Sequence, residues 1–204
     1  LRLVLLDRHF QVLVVLAEKG VAFEHVPCFF HSPDAAFQSA SPVGKIPAID
    51  DEGFKLADST AIVAYIEVNH PAPALLPAEA KARGRATWFD KFGDTELFPV
   101  LIKPFFNRVV MPKMMGKPGD EAAVQKALTE DLPKLYDYLE GEVDGPYLVG
   151  DAFSIADISI VTGFHNLRLA GEGVDAGRWP KLAAYVDATL ERASFTKAIA
   201  APTN

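Results

Sequence analysis

Three short stretches carry residue types that could do chemistry. In "LLDRHFQ" (5–11), Asp7, Arg8 and His9 interrupt a mostly apolar run from Leu1 to Leu16. Such a triplet can open an active site. It can equally be a corner, with Asp7 capping the next helix, Arg8 solvated and His9 at the surface. In "ADST" (57–60), Ser59 stands where a helix begins, with the amides of Thr60 and Ala61 behind it. A hydroxyl at a helix N-terminus makes a ready anion site, and a plain cap uses the same residues. In "HVPCFFH", His25, Cys28 and His31 are spaced by three, which on a helix would invite zinc. Pro27 and the aromatic neighbours favour a strand instead. At about 3.3 Å per residue the two histidines then lie roughly 20 Å apart, so no metal is expected.

The elements that must position these groups follow from hydrophobic period and punctuation. Leu1–Leu6 is a buried strand, and Gln11–Lys19 a helix ended by Gly20. Glu24–Phe30 is extended, with Pro27 suited to an edge. Ser32-Pro33-Asp34 opens a short helix through an N-cap and an N1 proline. Ile46–Ile49 and Phe54–Ala57 are strands around a "DDEG" turn, and Ser59–Val68 is a helix. The order β-α-β-α-β-β-α implies a small mixed sheet with helices packed on it. Residues 71–78 form a proline-rich linker, and long helical patterns occupy residues 79–204.

Half of the 204 residues are apolar and 23% are charged, ordinary for a chain with a real core. The net charge of −7 argues against a nucleic-acid partner, which needs a basic face. A single cysteine, Cys28, excludes an internal disulfide and fits a reducing, cytoplasmic setting. The opening apolar run is too short for a signal or a membrane span. No membrane association is expected.

Three motifs, "SPVGKIPAI" (41–49), "ADSTAIVAYIE" (57–67) and "YLVGDAFSIADISI" (147–160), occur in order around the linker. Together with "EKG" at the end of the first helix, they make the chain resemble the cytosolic glutathione S-transferases over nearly its whole length. The resemblance implies an α/β N-terminal thioredoxin-like domain (1–70, mixed four-stranded sheet) and an all-α C-terminal helical bundle (79–204). It implies a cis bond before Pro47, which turns the peptide groups of Ile46 outward to pair with the cysteinyl backbone of glutathione. Lys45 would reach the glycine carboxylate, Ser59 the γ-glutamyl carboxylate and Asp58 the γ-glutamyl ammonium. Asp58 stands where many relatives have the longer Glu. Ser154 and Asp157 read as a capping box that serves folding.

In that family the first strand–helix corner supplies a Ser, Tyr or Cys for the glutathione sulfur. Here the corner is Leu6-Asp7-Arg8-His9, and the first hydroxyl in the sequence is Ser32. A thiol of pKa near 8.5 must fall about two units to be mostly thiolate at neutral pH, about 2.7 kcal/mol of preference for the anion. His9 and Arg8 are the candidates to supply it. The acceptor would lie against the helix carrying Phe98, Phe105, Phe106 and Arg108, which Pro104 and Pro112 should bend or break. The leading expectation is a homodimeric transferase joining glutathione, as co-substrate, to a small apolar electrophile. The alternatives are a scaffold that lost the chemistry and, below it, a glutathione-dependent isomerase of the maleylacetoacetate type.

Overall fold

The computed structural model describes residues 2–5, 10–28 and 32–200. It divides into two compact units, Leu1–Leu75 with Arg192–Asn204, and Leu76–Glu191. The sequence alone assigns residues 79–204 to the helical domain. The terminal segment instead groups with the α/β unit, because Arg192 grips Glu18 through two contacts (2.6 and 3.0 Å) and Phe195 is wholly buried there.

In the first unit, β1 (Arg2–Leu5), α1 (Phe10–Lys19), β2 (Glu24–Pro27), α2 (Ala35–Ala40), β3 (Ala48–Asp51), β4 (Phe54–Ala57) and α3 (Ser59–Asn69) follow in order. The four strands lie β2-β1-β3-β4, with β1 parallel to β2 and antiparallel to β3, and β3 antiparallel to β4. Pro27 therefore sits on an edge strand, the position that suits a residue without an N–H. Gly20 (φ 64) closes α1 in the left-handed conformation. The cap of α2 is Asp34, which accepts from the Phe37 N–H at 2.8 Å, and not Ser32 as expected. The third strand starts at Ala48, two residues later than its apolar run suggests. Lys19 is completely enclosed: its ammonium meets Glu67 (2.5 Å) and the carbonyls of His70 and Pro73 (both 2.7 Å), anchoring the start of the linker.

In the second unit the chain is helical without a break from Ala80 to Met114. It runs through α4 (Ala80–Phe92), a π-helical turn (Gly93–Leu97), α5 (Phe98–Phe105), a second π turn (Phe106–Val110) and α6 (Met111–Met114). A third π turn (Ala127–Asp131) joins α7 (Glu121–Lys126) to α8 (Leu132–Glu142). Two residues after each π turn stands a proline: Pro99, Pro112 and Pro133. Proline has no N–H, and its ring collides with the carbonyl four residues back. Those carbonyls belong to Thr95, Arg108 and Thr129, all inside the π turns. The helix widens around the ring and does not break there.

Against α4 and α5 packs α9 (Ile155–Leu169), followed by α10 (Pro180–Leu190); α11 (Ala193–Ala200) belongs to the first unit. Ser154 and Asp157 form the expected capping box. The fully buried Asp157 carboxylate also accepts from the Leu148 N–H and the Tyr185 hydroxyl, both at 2.8 Å. The loop at 116–120 folds back onto the second π turn, where the Asn107 side-chain oxygen accepts from the Asp120 N–H at 2.8 Å.

That fold-back leaves no room at Gly119, where a Cβ would sit 1.9 Å from the Asn107 carbonyl oxygen; Gly84, exposed on α4, has nothing within 4 Å. Gly119→Ala is expected to destabilise by about 2 kcal/mol or more through forced backbone movement. Gly84→Ala is expected to stabilise by roughly 0.5–1 kcal/mol. Urea unfolding of the two variants checks both signs.

Candidate functional site

After α2 the chain turns through Gly44 (φ 71), whose N–H donates to the Ser41 carbonyl at 2.9 Å. It then delivers Lys45 to the surface and drives the Ile46 side chain into a core of Phe37, Ala40 and Ala48. The Ile46–Pro47 bond is cis, as the resemblance implies. The Ile46 side chain is 6% exposed, yet no described residue pairs with its N–H or its carbonyl.

The next piece arrives through the β3–β4 hairpin. Glu52 (φ 51) and Gly53 (φ 94) make its two-residue turn, which pairs Ala48 with Ala57. Pro47 and Asp58, one step beyond that pair, are joined by a hydrogen bond from the Asp58 N–H to the Pro47 carbonyl at 3.2 Å. Lys45, Ile46, Pro47, Asp58 and Ser59 are thereby brought to one place.

Asp58 has φ 87 and ψ 128, a region that L residues rarely enter and one that costs on the order of 1–3 kcal/mol. Its Oδ1 accepts from the Ala61 N–H at 3.1 Å, so Asp58 is the cap of α3 and that amide is not free, contrary to the sequence reading. No described residue engages Oδ2. Ser59 is the first residue of α3, half-buried, and its hydroxyl and N–H likewise have no partner among the described residues. This helix tip thus offers donors, while the adjoining Asp58 oxygen offers an acceptor. A ligand with a carboxylate beside an ammonium meets both.

Asp7, Arg8 and His9 lie outside the described residues, as does His31. The proposed acceptor-wall residues belong to the second unit. Phe98 (38% exposed) and Phe106 (43%) keep open faces, whereas Phe105 is buried in the helical core. Arg108 is held on both sides: Nε and Nη2 reach Glu121 at 3.0 and 2.5 Å, and Nη1 reaches Glu172 at 2.5 Å. Hydrogen bonds from Arg108, then Gln125, hold the Glu121 carboxyl down at about 2, from an ordinary 4.5. The sequence reading does not single out Ser41, which is 1% exposed. It stands at the head of "SPVGKIPAI", a stretch that gives no sign of what its hydroxyl binds.

Comparison with known proteins adds an independent finding. Family models described as the glutathione S-transferase N-terminal and C-terminal domains match residues 11–74 and 106–200. Glutathione S-transferase 3 of Zea mays is 31% identical over 201 residues, covering 94% of this chain and 88% of that protein. Maleylacetoacetate isomerase of Rattus norvegicus is 30% identical over 155 residues, covering 74% and 68%. A solved glutathione S-transferase III in its apo form superposes with a TM-score of 0.84 at 29% identity, covering 100% of this chain and 97% of that one.

Two outcomes follow from the geometry. Asp58→Ala removes the cap and keeps the strained φ, so urea unfolding should show a loss of roughly 1–2 kcal/mol. Asp58→Gly should lose less than half as much, because glycine relieves the backbone. For Glu121, a depressed folded pKa means that its contribution is present above pH 4.5 and lost as pH falls through about 2. Over that window the Tm of Glu121→Gln should fall less than that of the wild type in a calorimetric pH series.

Proposed function

The chain belongs to the cytosolic glutathione S-transferase superfamily, and on that premise we propose that it binds glutathione on the α/β unit and transfers the thiol to a small apolar electrophile. The observation that carries this reading is the main chain of Ile46, which pairs with no described residue and is held against the start of α3 by the Asp58–Pro47 hydrogen bond. The cysteinyl backbone of glutathione pairs with Ile46 as a further strand would. The exposed Lys45 ammonium takes the glycine carboxylate. Ser59, with the α3 N-terminus, takes the γ-glutamyl carboxylate, and the Asp58 Oδ2 takes the neighbouring ammonium.

Activation of the sulfur falls to His9 and Arg8. A hydrogen bond to a charged group contributes about 1.5–3 kcal/mol, comparable with the roughly 2.7 kcal/mol that thiolate formation at neutral pH requires. The thiolate then attacks the electrophilic carbon, whose leaving group departs with its electron pair as the C–S bond forms; Phe98, Phe106 and Arg108 supply the acceptor wall, and the buried Phe105 backs it from the helical core. The two glutamates on Arg108 confine its part to ordering that wall. The protein acts as a homodimer in the cytoplasm. Among the described residues no helix is long and apolar enough to cross a membrane. A scaffold without transferase chemistry is the second reading, favoured by the absence of Ser, Tyr and Cys from residues 6–9.

Glutathione at 100 times its dissociation constant should stabilise the protein by about 2.7 kcal/mol, read as a rise in Tm. Thioether formation with an activated aryl halide should follow, and His9→Ala should slow it at least tenfold. Indifference to glutathione overturns the binding reading. Binding without thioether formation supports the scaffold, and an unchanged His9→Ala rate removes His9 from the chemistry.

A further inference from the structure

The cradle works only if the Ile46 N–H faces the ligand, and the residue that aims it lies out of reach of that ligand. Ser41 ends α2, with its N–H donating to the Phe37 carbonyl at 2.7 Å and its carbonyl accepting from the Gly44 N–H at 2.9 Å. Its hydroxyl donates to the Lys45 carbonyl at 2.5 Å. Ser41 is 1% exposed, and its contact with the exposed Lys45 is part-buried.

The Lys45–Ile46 peptide is trans, unlike its neighbour Ile46–Pro47. In a planar trans peptide the C=O and the N–H point in opposite directions. Because the Ser41 hydroxyl holds the Lys45 carbonyl, the N–H of the same peptide group, that of Ile46, is directed away from Ser41, and no described residue accepts it.

We propose that Ser41 is a positioning residue for glutathione: through the Lys45 carbonyl it fixes the direction of the Ile46 N–H that meets the cysteinyl backbone. The inference rests on the reading that Ile46 pairs with glutathione, and Ser41 itself touches no part of the ligand. Without the hydroxyl, the Lys45 carbonyl loses its donor within the part-buried turn. It regains one by rotating toward water, which swings the Ile46 N–H off its line.

The experiment uses the full chain with Ser41→Ala, Ser41→Cys and Ser41→Thr, and glutathione itself as the probe. Ser41→Ala is expected to raise both the calorimetric Kd and the KM for glutathione about tenfold, with kcat at saturating glutathione within twofold of wild type. Ser41→Thr, which keeps the hydroxyl, restores KM to within threefold. Ser41→Cys, near-isosteric with a weak donor, falls between. A second readout is amide exchange at Ile46, which glutathione protects in the wild type and protects at least tenfold less in Ser41→Cys or Ser41→Ala at equal occupancy. Unchanged KM and unchanged Ile46 protection overturn the inference, as does a defect that tracks side-chain volume and not hydroxyl content. A wild-type chain that binds no glutathione overturns the function proposed above, and this inference with it. Wild-type binding with indifferent variants overturns this inference alone.

Discussion

A two-residue turn at Glu52-Gly53, with both φ angles positive, puts Ala48 opposite Ala57, and from that register the rest of the site follows. Residues 47 and 58 flank the pair on the same side of the hairpin, so their backbones meet in the hydrogen bond from the Asp58 N–H to the Pro47 carbonyl. A slip of one residue would reverse every side chain along the strand and separate Ile46 from the tip of α3. The strained Asp58 backbone fits the same logic. Pairing on one side and helix capping on the other over-determine a conformation that the residue would not choose by itself.

The result is a cluster of polar groups supplied largely by the main chain. Ile46 spends its side chain on the core while its peptide groups pair with no described residue, and the first hydroxyl and amide of α3 likewise have no described partner. Such groups are insensitive to side-chain replacement but depend on the turns that aim them.

The helical unit solves a different problem. Three prolines would each break an ordinary helix, yet a π turn upstream of each lets the chain pass without interruption. Gly93 and Gly163 then allow neighbouring helices to approach so closely that a Cβ would lie 2.9 Å from the Ser159 carbonyl oxygen and 2.7 Å from Leu101. Arg108, placed by one of these turns, is neutralised by two glutamates. A cation that looks available in a linear stretch is in fact the centre of a surface ion-pair cluster, worth little in stability by itself.

Much of this was legible in the chain alone. The element order, the edge position of Pro27, the left-handed Gly20, the capping box at Ser154–Asp157 and the motifs around Pro47 and Asp58 all rest on local signals. These depend on dihedral preference, hydrophobic period and side chains that bond within a few residues of themselves. Tertiary structure decided the rest, because those outcomes depend on groups distant in sequence. The terminal helix joins the α/β unit through Glu18, 174 residues from Arg192. Glu172 claims Arg108 from 64 residues away. Only the register of a hairpin brings Asp58 to Pro47. Local chemistry determines which conformations each segment prefers, while the pairing of remote groups determines which polar atoms are used up and which are left for a ligand.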